Sequence, residues 1–235
     1  MNSEIEEILK HTSHRPWDYP KRKWFWYQEW NNAIFLHYKI DEGILRKFVP
    51  KDLILDSFNN ETWISIVAFT MNRIHIRNSF QLNPISNFHE INLRTYVKNN
   101  EKQGVYFLSI EAEKLIPTIL ANVMSGLPYK HSNIIRNQNS FALTGKRSEI
   151  DIKYKISNLK NISERDHWLT ERYCLYQYCN QSIKRLEIHH KPWELLNIDI
   201  TDLNIKYNEF SNFVDFNKPF CSHFSPGVKV VAWNK

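Results

Sequence analysis

Between residues 53 and 112 apolar and polar residues alternate with a period of two. That is the spacing of strands with unlike faces, not the 3.6-residue spacing of a helix. Residues 53–58 and 63–71 read as two strands around a tight turn at Asn59-Asn60, because asparagine accepts the left-handed backbone such a turn imposes. Residues 89–98 and 105–112 repeat the arrangement around 99–104, and further strands are expected at 30–38, 141–146, 150–156, 174–178, 183–190 and 228–233. Helical signals are short. Asp41 can cap a turn or two through Phe48 before Pro50 stops it, and Ser163 with Asp166 resembles a capping box that opens a helix through about Arg172. Residues 114–125 stay ambiguous, since Pro117 is tolerable only in a first helical turn. So many strands create many edges, which a closed or partly closed antiparallel barrel removes. The expected fold is α+β, mainly β: an antiparallel β-barrel with a few short helices over residues 15–235, preceded by a helical extension over 1–14.

Composition narrows the function. With 42% hydrophobic and 24% charged residues the chain is of globular type, and only five glycines argue against phosphate-loop and collagen-like architectures. Aromatic residues make up 14% of it, enough for a stiff core or a ring-lined pocket. The net charge of +6 is dispersed, and Lys21, Arg22 and Lys23 read as a solvated loop, so no nucleic-acid partner is expected. Three cysteines without a CxxC pair indicate neither a disulfide framework nor a zinc ribbon, and imply a reducing compartment. Glu4, Glu6 and Glu7 stand where a signal peptide needs basic residues, and the apolar run 64–69 is far too short to span a membrane; a cytoplasmic protein without membrane contact is expected. The ten histidines contain no helical i, i+4 pair and no HExxH, and His189 and His190 are neighbours on a strand and point apart, so no metal site is expected. No GxSxG, Walker or GxGxxG motif is present, and no cofactor is expected.

The most informative run is Glu90-Ile91-Asn92-Leu93-Arg94-Thr95-Tyr96-Val97. As a strand it presents Glu90, Asn92, Arg94 and Tyr96 on one face and apolar residues plus Thr95 on the other. On an edge strand the polar face would be merely wet; inside a lumen, a carboxylate and a guanidinium together can bind an organic acid and adjust a proton's affinity. Pro128 biases Leu127 toward extended backbone, so Tyr129 and Lys130 face opposite sides and only one can enter a given pocket.

These segments, in this order, resemble the YqjF family of uncharacterised bacterial proteins. The resemblance rests on Arg15-Pro16-Trp17, Phe35-Leu36-His37, Val49-Pro50, the run 90–97, Gly104-Val105-Tyr106-Phe107, Leu127-Pro128-Tyr129, Thr170-Glu171-Arg172-Tyr173 and His190-Lys191-Pro192-Trp193. Asn59-Asn60 stands where the family tends to have Asp-Gly, in the same turn. That family is similar in fold to acetoacetate decarboxylase, whose barrel encloses a lysine that forms a Schiff base with a β-keto acid. The decarboxylase pattern Gly-x-Pro-Lys-Lys falls on residues 126–130, with Tyr129 in place of the nucleophilic first lysine and Lys130 matching the second. The resemblance implies a barrel that binds a small organic anion or keto-acid-like ligand in its lumen, and assembly into a homo-oligomer. Arg94 would anchor a carboxylate with help from Arg172, Glu90 would act as acid or base, and Tyr96, Tyr129 and His190 would complete the wall. The alternative is a lyase or decarboxylase acting on keto acids through Lys130. A binding module for nucleic acid or protein has only the mild positive charge and the aromatic cluster 24–30 behind it.

Overall fold

The computed structural model describes residues 2–78, 87–114 and 127–233. In chain order its strands begin with β1 (Trp26–Ile40), β2 (Ile54–Leu55), β3 (Thr62–Ile76), β4 (Phe88–Asn99), β5 (Lys102–Ala112), β6 (Tyr129–His131) and β7 (Asn133–Asn137). They continue with β8 (Ser140–Thr144), β9 (Ser148–Leu159), β10 (Cys174–Cys179), β11 (Ser182–His189), β12 (Leu196–Tyr207) and β13 (Cys221–Trp233). Helices α1 (Asn2–Lys10), α2 (Glu42–Leu45) and α3 (Glu164–Thr170) are short.

Seven strands close a ring in the order β1-β3-β4-β5-β10-β11-β13, with β13 pairing back onto β1 over Trp26↔Ala232 to His37↔Cys221. Seven strands cannot alternate direction all the way round, so the ring needs a parallel joint. That joint is β5 to β10, at Leu175↔Val105 and Tyr176↔Tyr106, in a ring whose other pairings are antiparallel, as expected. Of the remaining strands, β12, β9, β8 and β7 form a sheet extension that leaves the ring at β13 through Leu196↔Phe224, while the short β2 pairs with β4 and β6 with β5.

The extension explains why β1 and β3 are apolar on both faces. Ile34, Leu36 and Tyr38 of β1 join Phe141, Ile152 and Phe216 in a core that also holds side chains of the extension, whereas Ala33 and Phe35 join Val67, Phe69 and Val230 in a second core. Strands covered on both sides read as near-continuous apolar runs, as Ile64 to Phe69 does. Helix α1 buries Ile5 and Ile8 against Tyr27, Val231 and Trp233.

Consecutive left-handed residues make three tight turns: Asn59 and Asn60 (φ 52° and 62°), Asn100 and Glu101 (φ 49° and 60°), and Asn180 and Gln181 (φ 51° and 56°). Such pairs match the twist of the strands they join. Before the first turn regular pairing is shorter than the expected 53–58, since β2 covers Ile54–Leu55 and Phe58 bridges Glu61 alone. Strand β12 falls outside the expected segments; its apolar positions 196, 198, 200 change phase to 203, 205, 207, and a register shift between Ile200 and Asp202 marks the slip. Of the ambiguous segment 114–125, residues 115–125 lie outside the described residues. Among the described residues no helix is long and apolar enough to cross a membrane.

Candidate functional site

Strand β4 lies between β3 and β5 and directs its polar face into the ring. Glu90, Asn92 and Arg94 line a cavity of about 70 Å³. The register shift in the β4–β5 pairing falls opposite Leu93 and Arg94, where β5 passes from Ser109 to Phe107, so the extra residue belongs to β5 and the alternation of β4 survives. The rest of the wall is largely apolar and aromatic, with Trp26, Trp30, Phe69, Phe107, Leu127, Ile188 and Trp193.

Glu90 is 3% exposed, and the Tyr129 hydroxyl donates to its Oε2 at 3.0 Å. Burial raises its pKa to about 7, with hydrogen bonds from Tyr129 and Asn92 offsetting part of the rise. Tyr129 in turn is held well above the ordinary phenol range by burial and by the neighbouring carboxylate. Arg94 lies four residues along the strand, about 13 Å in Cα spacing, too far to hold Glu90 ionised.

Arg94 is 8% exposed, and among the described residues no carboxylate pairs with it. It touches the Leu169 carbonyl at 3.4 Å from Nη2, the Tyr96 hydroxyl, and the Phe35 ring at 5.8 Å, all neutral groups, while its Nε has no partner. Burial lowers its pKa from the usual guanidinium range. Arg172 is handled otherwise. Its Nη1 meets Asp56 Oδ2 at 2.7 Å, its Nε donates to the Trp168 carbonyl at 2.8 Å, and its guanidinium covers the Trp168 and Tyr96 rings. The last carbonyls of α3 thus receive both arginines, where a helix C-terminus favours positive charge.

His190 also lines the cavity. Its Nδ1 lies 2.7 Å from the Lys191 carbonyl oxygen, and the Arg172 backbone is a second hydrogen-bond partner, so main-chain groups hold the ring in place. Burial lowers its pKa to about 4, leaving it neutral near pH 7. The backbone N–H of Trp193 donates to Glu171 Oε1 at 2.8 Å and the Tyr173 hydroxyl donates to Glu171 Oε2, which fastens the 190–193 segment beside the cavity.

Five of the seven residues anticipated for the site therefore line one cavity: Glu90, Arg94, Tyr129, Arg172 and His190. Tyr96 is a correction. It faces inward but lies outside the cavity lining, because its hydroxyl is tied to the Leu169 carbonyl (2.9 Å) and to Ser65 Oγ (2.5 Å) while Trp168 packs on its ring. Lys130 is the second. The alternation that turns Tyr129 into the lumen turns Lys130 out, where it is exposed beside His131, Lys146 and Arg147. Asp56, which neutralises Arg172, escaped notice because its partner is 116 residues away in sequence. Trp30 also escaped; its buried Nε1 has no partner and it lines the same wall.

A family model for uncharacterized conserved proteins, DUF2071, matches residues 27–229. The chain belongs to the DUF2071 family. Within reach of it, the uncharacterized protein YqjF of Bacillus subtilis (strain 168) is 32% identical over 190 residues, covering 77% of this chain and 78% of that protein. Solved structures extend the likeness to the fold alone. Acetoacetate decarboxylase from Legionella pneumophila superposes with a TM-score of 0.59 at 14% identity, over 97% of this chain and 92% of that one. An acetoacetate decarboxylase-like enzyme from Sphingomonas wittichii RW1 gives 0.58 at 11%, over 90% and 91%. The enduracididine biosynthesis enzyme MppR complexed with pyruvate gives 0.54 at 10%, over 92% and 88%. This DUF2071 chain thus has the acetoacetate decarboxylase-like fold, mainly β with a few short helices.

Proposed function

We infer that this DUF2071 protein binds a small organic anion in its lumen, the carboxylate meeting Arg94 and the rest of the molecule lying against Trp30, Phe69 and Trp193. The observation that carries this is Arg94 itself: a guanidinium 8% exposed, without an acid partner among the described residues, at the wall of a cavity. A buried cation is costly unless paired, and a ligand carboxylate is the missing partner. Partnerless buried donors on the same wall, Trp30 Nε1, Arg94 Nε and Arg172 Nη2, favour an acceptor-rich guest. A cavity of about 70 Å³ has room for on the order of five waters, which suits a ligand of pyruvate size and not a nucleotide or an acyl chain.

Glu90, poised near neutrality, is the group able to exchange a proton with the guest, and the neutral His190 lines the same cavity. The keto-acid lyase acting through Lys130 draws no support from the geometry, since Lys130 is exposed and, among the described residues, no lysine lines the cavity. The pyruvate-bound state of the similar MppR makes pyruvate the natural first probe. The proposed setting is the reducing cytoplasm, in keeping with the free thiols Cys174, Cys179 and Cys221.

Native mass spectrometry of protein purified from its own host tests the reading. A co-purifying acid of a few heavy atoms, lost in Arg94→Met, is expected. A co-purifying neutral or cationic molecule, held equally well by Arg94→Met, would overturn it.

A further inference from the structure

Among the described residues, the cavity wall carries four buried polar side-chain atoms without a hydrogen-bond partner: Trp30 Nε1, Arg94 Nε, Arg172 Nη2 and Asn92 Oδ1. The three nitrogens are donors, and the anion proposed above brings acceptors for them. The fourth atom is an acceptor, and a carboxylate can do nothing for it. A guest that sets a second acceptor against it leaves both unpaired in a closed space.

Asn92 stands between Glu90 and Arg94 on the lumenal face of β4, one alternation or about 7 Å from each. It is 3% exposed. Its orientation follows from its neighbour. The Asn92 side chain is hydrogen-bonded to the Glu90 carboxyl, whose Oε2 also accepts from the Tyr129 hydroxyl at 3.0 Å. An ionised carboxylate can only accept, so Asn92 turns Nδ2 toward Glu90 and Oδ1 away from it. Arg94 does not close the gap on the other side, since its Nε and Asn92 Oδ1 are both partnerless and hence not bonded to each other. The hydroxyls of the wall are spent elsewhere: Thr170 Oγ1 donates to the Asp166 carbonyl at 2.8 Å and Tyr129 donates to Glu90. The missing donor therefore has to arrive with the guest.

We propose that the guest is a hydroxy acid of about three or four carbons, its carboxylate meeting Arg94 and its hydroxyl donating to Asn92 Oδ1. The inference rests on the anion reading and adds a second point of contact to it. A hydroxycarboxylate brings three oxygens that accept and one hydrogen that donates, which matches the three donors and one acceptor left over on the wall. A keto acid has the three oxygens but no hydrogen to give, and an unsubstituted acid lacks the third oxygen as well. An amino acid supplies a donor, but its ammonium accepts nothing and adds positive charge to a wall that already holds Arg94 and Arg172. Strand β4 thus reads both ends of the guest from one face, with Arg94 for the charge and Asn92 for the hydroxyl.

The test is calorimetric titration of the full-length protein at pH 8, above the pKa of Glu90 near 7, with acids of matched size: D- and L-lactate, 3-hydroxypropionate, pyruvate, propionate and alanine. At least one hydroxy acid should bind about tenfold or more tighter than pyruvate, propionate and alanine, because a site with a committed acceptor rejects analogues that leave it unpaired. In Asn92→Leu that advantage should fall below about threefold while pyruvate binds at least as well as before. In Arg94→Met every acid should lose about tenfold or more. Pyruvate bound through Arg94 with no hydroxy acid above it, an advantage that survives Asn92→Leu, or alanine as the tightest guest overturns the hydroxy-acid inference and leaves the anion site standing. Binding indifferent to Arg94→Met, or no binding by any acid of the series, overturns both. The ranking of guests on the parent protein decides the matter even where Asn92→Leu does not fold.

Discussion

Arg94 and Arg172 reach the same cavity from different elements, and the protein treats them differently. Arg172 is enclosed by Asp56, the Trp168 carbonyl and two aromatic rings, so its charge is settled within the chain. Arg94 has a long hydrogen bond to a neutral carbonyl, another to the Tyr96 hydroxyl and a ring beside it, and none of these is an acid. A buried ion pair holds a wall in place, whereas a buried ion without an acid leaves its field to whatever enters. The contrast separates a cation that builds the site from one that serves it, and four substitutions press on the difference.

The largest effect is expected at the settled arginine. Asp56→Ala strands the Arg172 charge in a closed environment and should lower stability by about 3–5 kcal/mol in urea denaturation. An effect below 1 kcal/mol would mean that the Arg172 corner is no better settled than the Arg94 corner.

Glu90→Gln should act next most strongly, and only at high pH. The folded carboxyl holds its proton up to about pH 7, while in the unfolded chain it ionises near 4.5. The fold therefore binds the extra proton between those values, and stability falls as pH rises through that window and stays lower above it. Removing the charge should make the variant about 3 kcal/mol more stable than the parent at pH 8 and leave the two equal at pH 4. An equal gap at both pH values would show that the variant acts through packing.

Arg94→Met should cost little in the unliganded protein, within about 1 kcal/mol and on the side of a gain, because no acid loses its partner. A loss as large as that of Asp56→Ala would erase the distinction between the two arginines. Lys130→Ala is the smallest: no change in ligand affinity, read by calorimetric titration, since the side chain is exposed on the other side of β6.

Much of this arrangement was legible in the chain. Strict alternation exposed the shared parity of Glu90, Asn92 and Arg94, and the proline at 128 set Tyr129 against Lys130. Ser163 and Asp166 do form the capping box, although α3 ends at Thr170 and frees Arg172 to turn into the lumen. What escaped is set by distance in sequence or by a change of phase. Parity alone put Tyr96 with its neighbours, but the end of α3 covers that part of the lumen, and no local pattern foretells a helix arriving 73 residues later. The acid partners of the two arginines, Asp56 for one and none for the other, are equally a property of the closed ring. So is the parallel joint, a consequence of seven strands and not of any one of them.

The decisive measurement is calorimetric titration of pyruvate into the parent protein and Arg94→Met at pH 7. Six non-hydrogen atoms at a ceiling of about 1.5 kcal/mol each bound the affinity at roughly a micromolar Kd. We expect saturable binding weaker than that limit in the parent, tightened by none of the neutral amide analogues, and its loss by at least tenfold in Arg94→Met with the fold unchanged. Binding of pyruvate or any other small carboxylate that is indifferent to Arg94→Met would contradict the assignment of this arginine to the ligand.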